Sequence, residues 1–292
     1  MLFDCSQVGL FAAAMLAAGH GVVQRLCAAC FVTSTFILAW YGPGTPLARG
    51  LRAVLAVGSL MATMKIAFSS EERLPIRGRL LQVVALPKSM RAIREPPALS
   101  ARVAGQVILD LIIAGGALVF LLHTRHRVGA IPSIERLGAG VVLFYAGAQF
   151  VFDLARLGSL AMGLSLDSIH RTPIAARSLT EFWSQRWNRI VSAWLQRFVF
   201  LPLARRRCPR VGAFCAFLAS GVLHGWPVLV AVGTSGAFAM FAFFVVQGAL
   251  VLAEHGFRIH AWPTPIARGW TLVVLLASSP LFVDPDLRLL GL

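Results

Sequence analysis

The sequence predicts an all-α, polytopic integral membrane protein, and three observations predict it. Of 292 residues, 58% are hydrophobic and only 13% charged, a balance that a soluble domain does not carry. Apolar runs recur at lengths that cross a bilayer as helices. The basic residues gather between those runs instead of forming one continuous surface. The formal charge of +15 therefore reads as loop charge that orients the chain and meets anionic lipid or phosphate-bearing substrate. Nucleic acid is not expected as a partner.

Taken in order, Val8 to Val23 is a first span, interrupted by Gly19-His20-Gly21. No basic stretch precedes it and Asp4 does, so it reads as a retained span and not a cleaved signal. Leu26 to Trp40 is a short second span, ended by the turn Tyr41-Gly-Pro-Gly-Thr-Pro46, and Leu51 to Phe68 is a third, with Lys65 able to snorkel. Ser69 to Arg102 is basic and broken by Pro75, Pro87, Pro96 and Pro97; within it Arg79 to Arg94 suits an amphipathic surface helix or a re-entrant piece. Ala104 to Leu122 and Leu137 to Leu157 are further spans. Val211 to Val230 and Ala237 to Ala253 follow, separated by Gly233-Thr-Ser-Gly236, and Ala267 to Phe282 is the last. The total is about seven or eight transmembrane helices plus interfacial helices, in a single domain over 1–292 without internal repeats.

Alternation through these spans puts 19 of the 27 Lys and Arg residues on one side, which the positive-inside rule makes cytoplasmic. The group at Arg125, Arg127 and Arg136 falls on the other side. An alanine- and arginine-rich composition suits a high-GC bacterial genome and hence an inner, cytoplasmic membrane. The five cysteines are odd in number and sit mostly in or beside apolar runs. Cys27 and Cys30 have C-x-x-C spacing but no second pair, so packing residues are expected and no metal site.

The segment Arg177 to Phe200 organises the rest. Ser178 followed by Glu181 is a capping-box pattern that predicts a helix start. At helical spacing, Phe182, Arg186 and Arg189 share one face of the expected helix and Trp183, Trp187 and Trp194 another, with Asn188 between. An indole stripe beside an arginine stripe suits the water–lipid boundary, and by itself it is most often an interface belt. An interfacial Asn188 alone usually caps or solvates itself. His224 lies in the apolar run Phe217-Leu-Ala-Ser-Gly-Val-Leu-His224, where an imidazole is costly without a partner or a task. Helix packing through a neighbouring carbonyl competes evenly with a functional role there. His170, His255 and His260 fall in expected loops, where solvated side chains are the default.

In combination these features resemble a known family. Glu181-Phe-Trp-Ser-Gln-Arg-Trp-Asn-Arg-Ile190 is similar to the F-W-x-x-R-W-N signature of the wax-synthase branch of the membrane-bound O-acyltransferase (MBOAT) family, preceded as there by a proline, Pro173, and a Ser-Leu pair, Ser178-Leu179. Phe198-Val-Phe-Leu-Pro202 resembles its continuation, and Phe217 to His224 its second motif, which ends in the family's essential histidine. A third, weaker match is Phe244-Val-Val-Gln247-Gly248 with Glu254 beyond it. The likeness covers about 173–254. Ser184-Gln185 stand where the family often has Gly-Arg, and Gly225 where an acidic residue is common, departures that bear on acceptor specificity more than on reaction type.

The resemblance implies an MBOAT-like fold and transfer of an acyl group from acyl-CoA, as co-substrate, to the hydroxyl of a lipophilic alcohol. No permanently bound cofactor is implied. His224 is expected as general base and Asn188 as the group that orients the acceptor or donates to the oxyanion. Trp183, Arg186, Trp187, Arg189, Ser220 and Gln247 are the candidate substrate and acyl-CoA contacts, with Arg205 to Arg207 able to meet phosphates. Two alternatives stand beside this reading. One is a short-chain or acetyl transferase acting on a metabolite hydroxyl; the other is a non-enzymatic lipid transporter or scaffold. G-x-S-x-G, H-E-x-x-H, Walker A and H-H-x-x-x-D-G patterns are absent from the sequence.

Overall fold

The computed structural model describes residues 101–161, 164–166 and 168–292, together with 52–53, 56 and 90–92. The expected spans at Val8–Val23 and Leu26–Trp40 lie outside the described residues, as does nearly all of Leu51–Phe68. So do Cys5, Cys27 and Cys30.

Among the described residues the architecture is helical, with one short antiparallel ribbon. Strand β1 (Met90–Ala92) pairs with β2 (Leu164–Leu166), Arg91 opposite Ser165. The part of Arg79–Arg94 that is described, 90–92, is thus extended, where an amphipathic surface helix or a re-entrant piece is expected within the stretch; its backbone partners lie more than seventy residues away, beyond the reach of local pattern. Helix α1 (Ala101–Thr124) and α2 (Ala130–Ala161) form a hairpin whose loop holds the ion pair Arg127–Glu135 at 3.1 Å. Ile108, Ile112 and Val119 are exposed on α1, as the outer face of a membrane-spanning helix requires.

After β2 come a single 3₁₀ turn, Pro173–Ala175, and a broken helical segment. It comprises α3 (Leu179–Glu181), the π turn Phe182–Arg186, α4 (Arg189–Leu195), a second π turn Gln196–Phe200 and α5 (Leu201–Arg205). Helices α6 (Pro209–Val232) and α7 (Thr234–Phe257) follow as a second hairpin, reversing at Gly233, whose φ of 102° a side chain would resist. Helix α8 (Thr264–Ser278) and α9 (Pro280–Leu289) close the chain.

Among the described residues, four helices are long and apolar enough to cross a membrane: Ala101–Thr124, Ser133–Gly158, Pro209–Val232 and Thr234–Phe257. They coincide with the expected spans at 104–122, 137–157, 211–230 and 237–253, and the chain is an integral membrane protein. The last expected span, Ala267–Phe282, is instead divided between α8 and α9, bent by 46°. Pro280 has no N–H for the carbonyl of Leu276, which accepts from both N–H and Oγ of Ser279 at 3.2 and 2.7 Å.

The core sits between the second hairpin and its neighbours. Val228, Met240, Phe243 and Phe244 are buried together, with Trp183 and Phe282 packed against them. A second cluster, Leu121, Val283 and Leu287, ties α9 to the first hairpin. Leu179, Val251 and Val274 anchor α3 on α7 and α8. This last contact fixes the broken segment at the end of α7 where Glu254 lies, the same end from which α6 starts.

Candidate functional site

The broken segment begins as the sequence predicts. The Ser178 hydroxyl accepts from the Glu181 N–H at 3.0 Å. The Glu181 carboxylate turns back to the Arg177 N–H at 2.8 Å and pairs with Arg186 at 2.7 Å. Burial works to raise the Glu181 pKa, but the Arg177 N–H, the Arg186 bond and the charges of both arginines together hold it below the usual carboxylate range.

The helix does not run unbroken to Trp194, as the stripe pattern requires. After the π turn, Trp187 is extended and Asn188 is left-handed, with φ 37° and ψ 61°. The wide turn alters the residue spacing and Asn188 ends the helix, so a 3.6-residue period cannot run across the break. Asparagine suits this position twice over. It tolerates the left-handed region, and its Oδ1 caps α4 by accepting from the Val191 N–H at 3.3 Å. That bond also orients the carboxamide: Oδ1 is engaged, and Nδ2 keeps its donors with no partner among the described residues.

Nor do Trp183 and Trp187 form an outward belt. Trp183 donates its indole N–H to Gln247 Oε1 at 3.0 Å, and Trp187 stacks on His170 with ring centroids 4.2 Å apart. Their rings face protein because Gln247 and His170, distant in sequence, supply partners.

The opposite wall is α6. Ala213, Ala216, Phe217, Ser220 and His224 recur at intervals of three and four, so they share one face. Gly221 and Gly248 bring α7 close behind it. A Cβ on Gly221 would lie 2.8 Å from Phe241 Cδ2, and one on Gly248 would lie 2.9 Å from Phe217 Cβ. His224 Nδ1 lies 2.9 Å from the Ser220 carbonyl oxygen and 3.4 Å from its hydroxyl. A carbonyl only accepts, so Nδ1 carries the proton and the neutral ring presents an unprotonated Nε2.

Between these walls is a cavity of about 230 Å³, lined by residues of both. Asn188 and His224 both line it, with Trp183, Trp187 and Ser220 of the expected contacts. Thr180, Ser184, Ser192 and Gln196 add hydroxyl and amide groups, while Leu195, Phe200, Phe217 and Val251 make much of the wall apolar. The arrangement sets an imidazole and a carboxamide in one partly apolar chamber.

Arg186, Arg189 and Gln247 are not among its lining residues. Arg186 is taken up by Glu181 and by the carbonyls of Arg171 and Thr172, at 3.1 and 3.2 Å. Arg189 reaches the Ser168 carbonyl. Gln247 is wholly buried; besides accepting from Trp183 it donates to the Ser278 hydroxyl at 2.8 Å.

Two residues were not singled out as site residues by the sequence, although Glu254 ends the weak third motif match. Glu254, 3% exposed, accepts from the N–H groups of Leu179 and Thr180 at 2.8 and 3.2 Å and from Trp270 Nε1 at 3.0 Å. It thus caps α3 from another helix and joins it to α8. His170, expected as a solvated loop residue, is 6% exposed, and its Nδ1 accepts from the Asn188 N–H at 3.1 Å. Burial pushes its pKa down to about 4. Exposed Arg205 to Arg207 end the segment. Cys208 and Cys215 are free thiols.

Comparison with known proteins bears on the family of this chain. Residues 166–246, which contain Asn188 and His224, match the model of the membrane bound O-acyl transferase family. Among curated proteins of Arabidopsis thaliana, probable long-chain-alcohol O-fatty-acyltransferase 2 is 31% identical over 240 residues, 76% of this chain and 70% of that protein. Probable long-chain-alcohol O-fatty-acyltransferase 7 is 28% identical over 174 residues, 55% of this chain and 51% of its own length. The matched part thus spans about half of that relative. Probable long-chain-alcohol O-fatty-acyltransferase 9 is 25% identical over 251 residues, 78% of this chain and 72% of that protein. With the segment around Asn188, the helix of His224 and most of the chain's length matched in this way, the chain belongs to the membrane-bound O-acyltransferase family.

Proposed function

We propose that this protein transfers an acyl group from acyl-CoA to the hydroxyl of a lipophilic alcohol in the cavity between the broken segment and α6. One observation carries the reading: a cavity shared by a histidine whose Nε2 can accept a proton and an asparagine whose Nδ2 can donate. The long-chain-alcohol acyltransferase names of the Arabidopsis relatives support the acceptor class.

A hydroxyl is a weak nucleophile, so the acceptor O–H donates to His224 Nε2 and loses its proton as oxygen attacks the thioester carbonyl. Negative charge collects on the carbonyl oxygen, where Asn188 Nδ2 donates to it. Collapse breaks the carbon–sulfur bond, and the imidazolium returns its proton to the departing CoA sulfur. The ester forms without a covalent enzyme intermediate. Trp183 and Trp187 flank the reacting chain at the polar end, while Leu195, Phe200, Phe217 and Val251 exclude water along it. Arg186 and Arg189 are engaged with the protein, so CoA phosphates fall to exposed Arg205, Arg206 and Arg207 on the basic, cytoplasmic face. The membrane is a bacterial cytoplasmic membrane on the ground of composition.

A cavity of 230 Å³ is modest, and this favours a second reading in which the donor is short-chain or acetyl and the acceptor a metabolite alcohol. A screen of acyl-CoA chain lengths against alcohols, read by mass spectrometry of the esters, separates the two. In membranes supplied with labelled acyl-CoA and alcohol, His224→Ala lowers kcat by about 10²- to 10⁴-fold. Asn188→Ala lowers it by roughly 10²- to 10³-fold. Wild-type turnover that survives His224→Ala refutes the base assignment; no ester from any donor–acceptor pair favours a transporter or scaffold instead.

A further inference from the structure

The loop before the signature segment runs alongside it. The Arg171 N–H donates to the Arg186 carbonyl at 2.8 Å, and the Arg189 N–H donates to the Ile169 carbonyl at 3.0 Å. These two bonds flank the break in the helix. Between them, the Asn188 N–H is met by a side chain, His170 Nδ1 at 3.1 Å. The imidazole therefore completes a three-rung ladder whose middle rung belongs to the candidate oxyanion residue. The same ring stacks on Trp187 at 4.2 Å with planes 29° apart, and Tyr145 of α2 lies 5.9 Å from it.

Asn188 needs this support. Its left-handed backbone is an unfavourable conformation for any residue with a side chain, even though asparagine bears it best. At the break its N–H has no helical carbonyl to meet. A small rotation about φ or ψ of Asn188 would swing the carboxamide through a large arc, because the side chain branches from that Cα. The Val191 N–H fixes Oδ1 but cannot by itself fix the backbone that carries it.

We propose that His170 is a positioning residue for catalysis: its Nδ1 pins the Asn188 N–H and its ring clamps Trp187, so that the amide donors of Asn188 stay turned to the reacting carbonyl. This rests on the role given to Asn188 above. His170 does not line the cavity and is not a catalytic residue. Because Nδ1 accepts, the proton of the neutral ring is on Nε2, which is buried and has no hydrogen-bond partner among the described residues. A ring kept only for packing would gain by losing that buried N–H. Phenylalanine offers a comparable apolar surface without it, so the acceptor is what distinguishes histidine here.

The test uses the full chain in membranes, with kcat and alcohol KM measured for His170→Phe, His170→Asn, Asn188→Ala and the double variant His170→Phe/Asn188→Ala. Asparagine puts Oδ1 near the position of histidine Nδ1 and keeps the acceptor; phenylalanine keeps the stack and removes it. The expected result is a kcat loss of about 10- to 100-fold for His170→Phe with alcohol KM little changed. His170→Asn recovers most of that loss, and the double variant is no slower than Asn188→Ala alone. Full kcat in His170→Phe beside an inactive Asn188→Ala overturns the positioning role and leaves the site reading intact. Full activity in Asn188→Ala overturns the site reading itself. Losses that multiply in the double variant show His170 acting elsewhere. Should His170→Phe fail to accumulate, a folded His170→Asn with kcat as low as Asn188→Ala overturns the proposal on its own.

Discussion

His170 shows how much one side chain can depend on the state of its proton. In the folded protein the ring is neutral, since burial holds its pKa at about 4 against 6.5 for an ordinary histidine. Above pH 6.5 folded and unfolded chains are both neutral at this position and nothing changes with pH. Below 6.5 the unfolded chain takes up a proton that the folded chain refuses, and stability falls until the folded ring also titrates near 4. The loss over that window is on the order of 3 kcal/mol. Protonation at Nδ1 also converts the acceptor of the Asn188 N–H into a donor, so the same titration undoes the rung. The measurement is the thermal midpoint of detergent-solubilised protein from pH 7.5 to 4.5, for wild type and His170→Phe. The wild-type midpoint should fall more steeply on acidification, and parallel curves would show that this ring does not titrate as described. Glu254 makes a similar point through its hydrogen bonds. Its carboxylate satisfies the first N–H groups of α3, the Thr180 hydroxyl and the Trp270 indole, so Glu254→Ala removes the acceptor of four buried or half-buried donors and should destabilise by about 3 kcal/mol. The corresponding readout is the thermal midpoint, and an unchanged value would mean that the α3 cap contributes nothing.

At the scale of elements, the α6–α7 hairpin gives the site its rigidity, and glycine makes the close approach possible. A Cβ at Gly248 would lie 2.9 Å from Phe217 Cβ and 3.0 Å from Phe214 Cδ2. Phe217 Cβ cannot rotate away, since it is fixed to its own helix backbone, so Gly248→Ala must move one helix against the other. The cost is about 1–3 kcal/mol, and because Phe217 lines the cavity, alcohol KM should change with it. At Gly221 the nearest obstacle is the ring edge of Phe241, which can turn, and Phe244 Cβ stands farther off at 3.3 Å, so Gly221→Ala should be milder. Equal effects of the two substitutions on thermal midpoint would contradict this account. The same elements show what could be read from sequence. Spans such as α1 and α6 were legible because hydropathy depends on residues within the span itself. His224 was legible as a polar ring in an apolar run, and Asn188 through the pattern around it. The break at Trp187–Asn188 was not, because a π turn and a left-handed residue leave no periodic trace. The roles of His170 and Glu254 were hidden for another reason: their partners are 18 and 75 positions away, and only the folded chain brings them together.

For the whole molecule, charge and shape point the same way along α6. Its first turn follows Arg205, Arg206 and Arg207 on the basic side, and its cavity face runs from Ala213 to His224. Eleven residues of helix rise by roughly 16 Å. A donor whose phosphates meet the arginines would thus have to pass Ala213 and Ala216 to bring its thioester to the imidazole. The two alanines are the smallest side chains on that face, and enlarging one should act as a length gauge. Ala216→Phe should lower kcat/KM for long-chain acyl-CoA by 10-fold or more while transfer of the shortest chains falls far less, since discrimination by pocket volume is worth about 1–3 kcal/mol per methylene. The measurement is kcat/KM across a donor series at fixed alcohol, then across an alcohol series at fixed donor. A shift in the donor series alone assigns this face to the acyl chain; a shift in the alcohol series alone assigns it to the acceptor and reverses the direction of approach proposed here. If neither series shifts while the variant folds and turns over normally, both substrates reach His224 by another route, and the cavity beside α6 is not the path of the reaction.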